Sequence, residues 1–358
     1  MDNEVNTYVR YQFNGFGQGL ERTVLEKPTP KGDEVLVRVS HCGVCHTDLH
    51  LYDGYYALGQ GKKLSLEDRG IKLPVTLGHE IVGVIESVGE NVGDVPIGKP
   101  VLVYPWIGCG SCEVCKRGEE NLCTKSSALG IFKPGGYSQY VVVPHSRYLV
   151  ELGNLKPSHA SLLACSGLTT FSAIKKIGKV HEEESVVVIG CGGLGLLAIR
   201  TLSLLGIKNI IALDLSEKKR EVAKQVGATL ALDPSREDLA EEILQKQGAT
   251  CTAVLDFVGA ESTTSTALSL LKKGGKLIVV GLHGGELRYP LPYLITKSIS
   301  IIGSYTGTLP EQRELVEFAS KHDLFSLPIK TKPLEQANEA LKDLAEGKVD
   351  GRLVLEVA

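Results

Sequence analysis

Four cysteines, Cys109, Cys112, Cys115 and Cys123, crowd the stretch CGSCEVCKRGEENLC, in a chain with nine cysteines. Thiolates at this spacing suit a closed, tetrahedral metal site, and zinc is the usual structural occupant. An iron–sulfur cluster also takes four cysteines, so spacing alone leaves the metal open. Disulfide pairing would leave the clustering unexplained. Lys116 and Arg117 are offset by Glu113, Glu119 and Glu120, which speaks against a nucleic-acid-binding zinc ribbon. The metal would hold a loop too poor in apolar residues to fold by packing alone.

A second chemical signal is the run VVVIGCGGLGLLAI, in which Gly190, Gly192 and Gly195 follow an apolar strand and open a helix. Gly190 permits a tight turn, Gly192 and its neighbour Gly193 let backbone approach a pyrophosphate, and Gly195 permits close packing of helix on strand. Asp214 ends the next apolar run. An acidic side chain there binds the ribose hydroxyls of adenosine and repels a 2′-phosphate, which predicts NAD rather than NADP. The ordinary reading is a plain strand–helix turn with a surface aspartate; strand, helix and acid in register argue against it.

A third set is dispersed. CGVCHTDLH holds Cys45, His46, Thr47, Asp48 and His50; LGHEIVG holds His79 and Glu80; LLACSGLTT holds Cys165. Singly, Cys165 reads as a small core residue and His79 as a satisfied polar side chain. Beside a dinucleotide fold, two thiolates and one imidazole would leave one position on a zinc ion open, as a catalytic site requires.

These residues need elements to position them. The first 150 residues carry short strand patterns (DEVLVRVSHCGVC, EIVGVIESVGE, PVLVYPWIGC, YSQYVVVPHSRYLV) between turn signals, which predicts a β-rich, barrel-like unit. Residues 51–74 have weak periodicity and read as a surface loop with a short helix. From Val186 apolar runs alternate with helical patterns at 194–206, 216–226, 236–247 and 261–273, the signature of βαβ units around a parallel sheet. The tail from about Leu324 returns to short segments that rejoin the first unit. A length of 358 residues suits two domains, and a net charge of −3 argues against a dedicated nucleic-acid binder. The polar N-terminus does not read as a signal peptide, and the longest apolar run is too short and too glycine-broken to span a membrane. Thiols without a secretory signal point to a reducing compartment.

In their order along the chain, GVCHTDLH, GHE with its following glycine and valines, the four-cysteine lobe, GCGGLG and GRLVLEV resemble the zinc-dependent alcohol dehydrogenases of the medium-chain dehydrogenase/reductase superfamily, closest to the bacterial and archaeal tetrameric enzymes. The resemblance implies an α/β architecture. A GroES-like β-rich catalytic domain would cover 1–155, rejoined by about 297–358, with a Rossmann doubly wound parallel-sheet domain over 156–296. It implies Cys45, His79 and Cys165 as ligands of a catalytic zinc, with Asp48 orienting His79 and Glu80 approaching the metal during ligand exchange. Zinc would act as a Lewis acid on the substrate oxygen, and Thr47, a nicotinamide ribose hydroxyl and His50 would relay the proton. His46 and Arg352 match positions near the coenzyme pyrophosphate. Trp106, and more weakly Tyr55 and Ile131, match positions that line the substrate pocket; His283 lies where the coenzyme could approach.

The expected enzyme oxidises an alcohol with NAD+ to an aldehyde or ketone, carries two zinc ions per chain, and works as a cytoplasmic homotetramer, or else a dimer. It needs no nucleic-acid or membrane partner. Polyol dehydrogenase or aldehyde reductase activity on the same scaffold is the alternative, and an idle NAD-binding sensor would not need the full ligand set. Uncharged pocket segments favour an apolar substrate over an acidic one.

Overall fold

The computed structural model describes residues 6–247 and 250–358. Its centre is a six-stranded sheet in the spatial order Leu230–Leu232, Asn209–Leu213, Glu184–Ile189, Thr250–Asp256, Leu271–Val279 and Ser300–Gly303. Every neighbouring pair is parallel. All six residues of Glu184–Ile189 are buried, as a strand covered by helices on both faces demands. The chain runs outward from this strand first to one side and then to the other. That reversal opens a crevice at the strands' carboxyl ends, where such sheets bind ligands.

The expected helices are present as Gly193–Leu204, Glu217–Gln225, Leu239–Gln247 and Glu261–Leu270. The sixth apolar run, SISIIGSY (298–305), supplies the last strand of the parallel sheet, past residue 296, the expected end of that domain. Ser300–Gly303 pairs with Leu271–Val279, and the return to the other sheet comes only with Ile329–Pro333 and Arg352–Glu356.

The second sheet has seven strands and is organised on Val35–Val44. The first half of that strand pairs with Tyr140–Val143, the second half with Arg352–Glu356, and nearly its whole length with Glu80–Val88. Register shifts at Leu36/Val37 and Val39/His41 let it turn from one partner to the other. Val35, Val37, Leu77, Ile81 and Leu102 are almost fully buried in its core. Each contributes about 1.5–3 kcal/mol relative to exposure.

Residues 51–74 depart from expectation. After the helix His46–Asp53 they form a hairpin, Tyr55–Gly59 with Lys62–Ser65, rather than a loop. Gln60 and Gly61 have φ of 50° and 74°, the left-handed pair that a two-residue hairpin turn needs. The tip crosses to the other domain, where Gln60 donates to Glu286 at 2.7 Å and Ala57 lies against Gly284. Among the described residues, no helix is long and apolar enough to cross a membrane.

Candidate active site

Cys45 directly follows Val35–Val44 and caps the helix His46–Asp53, while His79 directly precedes Glu80–Val88. These strands pair with Gly43 opposite Glu80, so their ends bring the thiol and the imidazole together. Cys165 sits at the N-cap of the helix Ser166–Ile177. The three candidate ligand atoms lie within 4.8 Å of one another, all buried, and the two sulfurs are 4.0 Å apart.

Asp48 holds this arrangement from a fully buried position. Its carboxylate accepts from Cys45 N at 3.0 Å, Gly78 N at 3.3 Å and the Tyr137 hydroxyl at 3.2 Å. It stands 3.3 Å from His79 Nδ1, a charge contact too poorly aligned for a hydrogen bond. Burial alone would depress the imidazole, but Asp48 and the Cys45 thiolate outweigh it and hold His79 well above its ordinary value. The hydrogen bond shared by the two sulfurs is the main cause that lowers Cys45 well below the ordinary thiol range and raises Cys165 well above it.

His79 Nε2 is buried without a hydrogen-bond partner. An orphaned buried nitrogen of this kind costs about 1–3 kcal/mol. Two sulfurs and this nitrogen converging on one point fit a zinc ion with a position left for substrate.

Thr47 and His50 stand three residues apart on the helix that Cys45 caps, and so share a face. Both are half-buried. Burial lowers the His50 pKa from its ordinary 6.5, which leaves a neutral proton acceptor at pH 7. Trp106 is buried with its indole N–H donating to Ala164 O at 3.0 Å, and its ring centre is 5.6 Å from that of His79.

The glycine turn lies across the crevice. Gly190 has φ of 87° and donates to Leu213 O at 2.8 Å. A Cβ on Gly195 would stand 1.8 Å from Gly190 O, whereas one on Gly192 would meet nothing within 4 Å. The open space at Gly192 faces the start of the helix and fits a coenzyme phosphate. Asp214 uses one carboxylate oxygen to accept from Cys191 N at 2.8 Å and the other for Ser216 N at 2.9 Å, tying the turn to the next strand. His46, Gly192, Gly193, Lys219 and Arg352 line a crevice of about 80 Å³.

Arg352 is buried and paired with Glu80, whose other oxygen accepts from Ser166 N at 2.9 Å. Burial raises the Glu80 carboxyl to about 7 against the pull of Arg352. This pair joins the neighbourhood of the three candidate ligands to the glycine turn, because Arg352 also packs on Gly193. Neither Lys219 nor the Glu80–Arg352 pairing was singled out in the sequence. No spacing rule links residues 272 positions apart.

The four-cysteine lobe closes on itself. Cys109 and Cys115 sulfurs are 4.0 Å apart, Cys112 and Cys115 3.4 Å, and Cys112 and Cys123 3.8 Å. The Ser111 hydroxyl is the main cause lowering Cys109 to about 5, while burial pushes Cys115 up to about 12. These four sulfurs fit one tetrahedral ion. An open cavity of about 300 Å³ beside the lobe is lined by Cys109, His145 and Arg147, and none of Cys45, His79 and Cys165 lies in its wall.

The pocket candidates are redistributed. Successive residues of a strand face opposite ways, so the hairpin turns Tyr56, not Tyr55, toward His50, with ring centres 5.2 Å apart. Tyr55 instead lies under the Lys63 ammonium at 3.6 Å. Ile131 is buried in the turn around residues 128–133. Tyr305, not foreseen, brings its ring to 6.0 Å from Trp106. His283 is exposed on the loop after Leu271–Val279, and its charge helps lower His50.

Known proteins are similar to this chain along almost its whole length. Residues 31–154 match the alcohol dehydrogenase GroES-like domain, and residues 193–321 the zinc-binding dehydrogenase domain. The chain is 39% identical to an NAD-dependent alcohol dehydrogenase of Sulfurisphaera tokodaii, over 95% of this chain and 97% of that one. Its structure is similar to that of the alcohol dehydrogenase from Aeropyrum pernix, with a TM-score of 0.87, 32% identity and coverage of 97% and 99% of the two chains. It is also similar to a cobalt- and zinc-bound thermostable alcohol dehydrogenase from Pyrobaculum aerophilum, with a TM-score of 0.83, 27% identity and coverage of 98% and 99%. With both domains matched and a relative of this identity spanning almost the whole chain, the protein belongs to the zinc-binding alcohol dehydrogenase family of the medium-chain dehydrogenase/reductase superfamily.

Proposed function

We propose that the protein interconverts an alcohol and NAD+ with an aldehyde or ketone and NADH, using one catalytic and one structural zinc per chain. The observation that carries the reading is the meeting of Cys45, His79 and Cys165 around an unpartnered His79 Nε2, across a crevice from the glycine turn. When bound, zinc supplies Lewis acidity at the substrate oxygen, and the coenzyme supplies the hydride acceptor and a ribose hydroxyl.

The chain's own residues do the rest. Cys45, His79 and Cys165 hold the metal, and Asp48 fixes the imidazole that faces it. Thr47 takes the proton of the substrate hydroxyl, and His50, neutral at pH 7, passes it to solvent. Gly190, Gly192, Gly193 and Gly195 shape the turn for the pyrophosphate, with Arg352 as its cationic neighbour, His46 as a neutral hydrogen-bonding one, and Asp214 as the ribose ligand. Glu80, paired with Arg352 beside the three ligands, would be the carboxylate placed to approach a bound metal. Trp106 walls the substrate side of His79. Cys109, Cys112, Cys115 and Cys123 take the structural ion.

From the family resemblance we take the enzyme to be cytoplasmic and to assemble as a homotetramer, with a dimer as the alternative. The exposed Leu291, Tyr293, Ile295 and Ile301, beside the edge strand Ser300–Gly303, support assembly. Light scattering after gel filtration tests it: a tetramer is expected, and a monomer at micromolar concentration would contradict it. For the reaction, NADH formation is followed with primary, secondary, cyclic and benzylic alcohols. Turnover of at least one class is expected; inertness of zinc-loaded enzyme toward all of them, and toward polyols and aldehydes, would overturn the reading.

A further inference from the structure

Aromatic rings surround the candidate site, and one of them carries a cation. From His79 outward, Trp106 packs at 5.6 Å and Tyr305 at 6.0 Å from Trp106. From His50, Tyr56 packs at 5.2 Å. The guanidinium of Arg69, on the turn after the hairpin, sits over the Tyr56 ring at 5.6 Å. Its charge also reaches Tyr305: burial raises that phenol to about 12, with Tyr56 and Cys165 adding and Arg69 opposing. Tyr56, Tyr305 and Arg69 are therefore within electrostatic reach of one another and of the ligand cysteines.

Arg69 has no carboxylate partner among the described residues. The neighbouring carboxylates Glu67 and Asp68 make no ion pair with it, although arginines elsewhere on this surface do find acids, as Arg38 does with Glu86 and Arg117 with Glu119. An exposed arginine held over an aromatic face, with its fork of donors free, is suited to take a carboxylate in a bidentate pair. No second cation or helix N-terminus joins it on the described contacts, so a singly charged carboxylate suits it better than a phosphate dianion.

We infer that the site takes hydroxycarboxylic acids, and the corresponding oxo acids, whose reacting hydroxyl lies at Cys45, His79 and Cys165, whose methylene chain lies along Trp106, Tyr305 and Tyr56, and whose far carboxylate pairs with Arg69. This inference rests on the alcohol dehydrogenase reading and names its substrate class. It also reconciles aromatic surroundings with an acidic substrate, since only the far end of the molecule is charged. Arg69 is a specificity determinant and touches no reacting atom.

The test compares matched substrates on the zinc-loaded enzyme. Butan-1-ol, hexan-1-ol and octan-1-ol are set against 4-hydroxybutanoate, 6-hydroxyhexanoate and 8-hydroxyoctanoate, with the methyl ester of each acid as a neutral control. At one chain length or more, kcat/KM for the hydroxy acid should exceed that for the alcohol by about 10-fold or more, the factor a charge-assisted pair supplies, and the ester should not share the gain. Arg69→Gln should collapse the acid-to-alcohol ratio toward one through KM rather than kcat, and Arg69→Lys should retain part of it. A merely structural arginine would lower both substrates together and leave the ratio unmoved. If wild-type enzyme oxidises the alcohols with no preference for any acid, or if Arg69→Gln leaves the ratio intact, the inference fails while the alcohol dehydrogenase reading stands. If no substrate of any class turns over, both fail.

Discussion

Asp48 shows how much one buried side chain can organise. Its two oxygens take the Cys45 and Gly78 amides and the Tyr137 hydroxyl while facing His79. A carboxylate in this role sets the ring's orientation and basicity, so Asp48→Asn should weaken metal retention or activity by about 10–100-fold. Titration with a chelator against residual activity would show it, and an unchanged midpoint would mean that Asp48 only fills space. His50 gives a pH prediction. Its folded pKa is lowered by burial, so its neutral, proton-accepting form persists to lower pH than that of a free imidazole. The acid limb of alcohol oxidation should therefore fall below pH 6.5, the ordinary histidine value. His50→Gln should remove that limb and lower the rate at pH 7 by up to about 10²-fold. A profile identical to wild type would take His50 out of the proton path. At this scale the sequence was informative where residue type fixes chemistry, as with the seven candidate ligands. It was mute where only folding creates the pair, as with Glu80 and Arg352 or Arg69 and Tyr56.

Elements were legible to the degree that one face is buried. Glu184–Ile189 and Asn209–Leu213 stand out because parallel strands covered on both sides read as continuous apolar runs. The helix Ser166–Ile177 was not foreseen; it is buried on nearly every side, from Ser166 through Ile174 and again at Ile177. The hairpin at Tyr55 is the opposite case: its strands are mostly exposed, so no alternation of apolar and polar residues marks it. The strand–turn–helix geometry of the glycine run was legible because its demands are backbone demands. Gly195 has no room for a Cβ, which would stand 1.8 Å from Gly190 O. Gly195→Ala should therefore cost about 1–3 kcal/mol or more by overpacking. It should also weaken NADH binding measured by fluorescence titration. An alanine variant of wild-type stability and affinity would mean that the helix can slide off the strand without loss.

Across the whole molecule, the four-cysteine lobe is tied to both sides of the cleft. Glu120 is buried within it and accepts from Gly108 N and the Tyr148 hydroxyl, while Asn121 reaches across to Tyr305 O at 2.9 Å. A lobe with few apolar contacts and many such ties should depend on its metal for order. Cys112→Ser should lower the melting temperature by several degrees, each kcal/mol being about 2–4 °C in a domain of this size. It should disturb NADH affinity far less. The two-metal architecture is the centre of the account, and the most direct measurement is zinc per chain in wild type, Cys165→Ser and Cys112→Ser, each with its activity and thermal midpoint. The account predicts two ions in the wild type. It predicts a protein that loses catalytic zinc and most activity in Cys165→Ser while keeping its fold and NADH binding, and one that loses structural zinc and stability in Cys112→Ser. One ion or none in wild type, or full activity in Cys165→Ser, would contradict it.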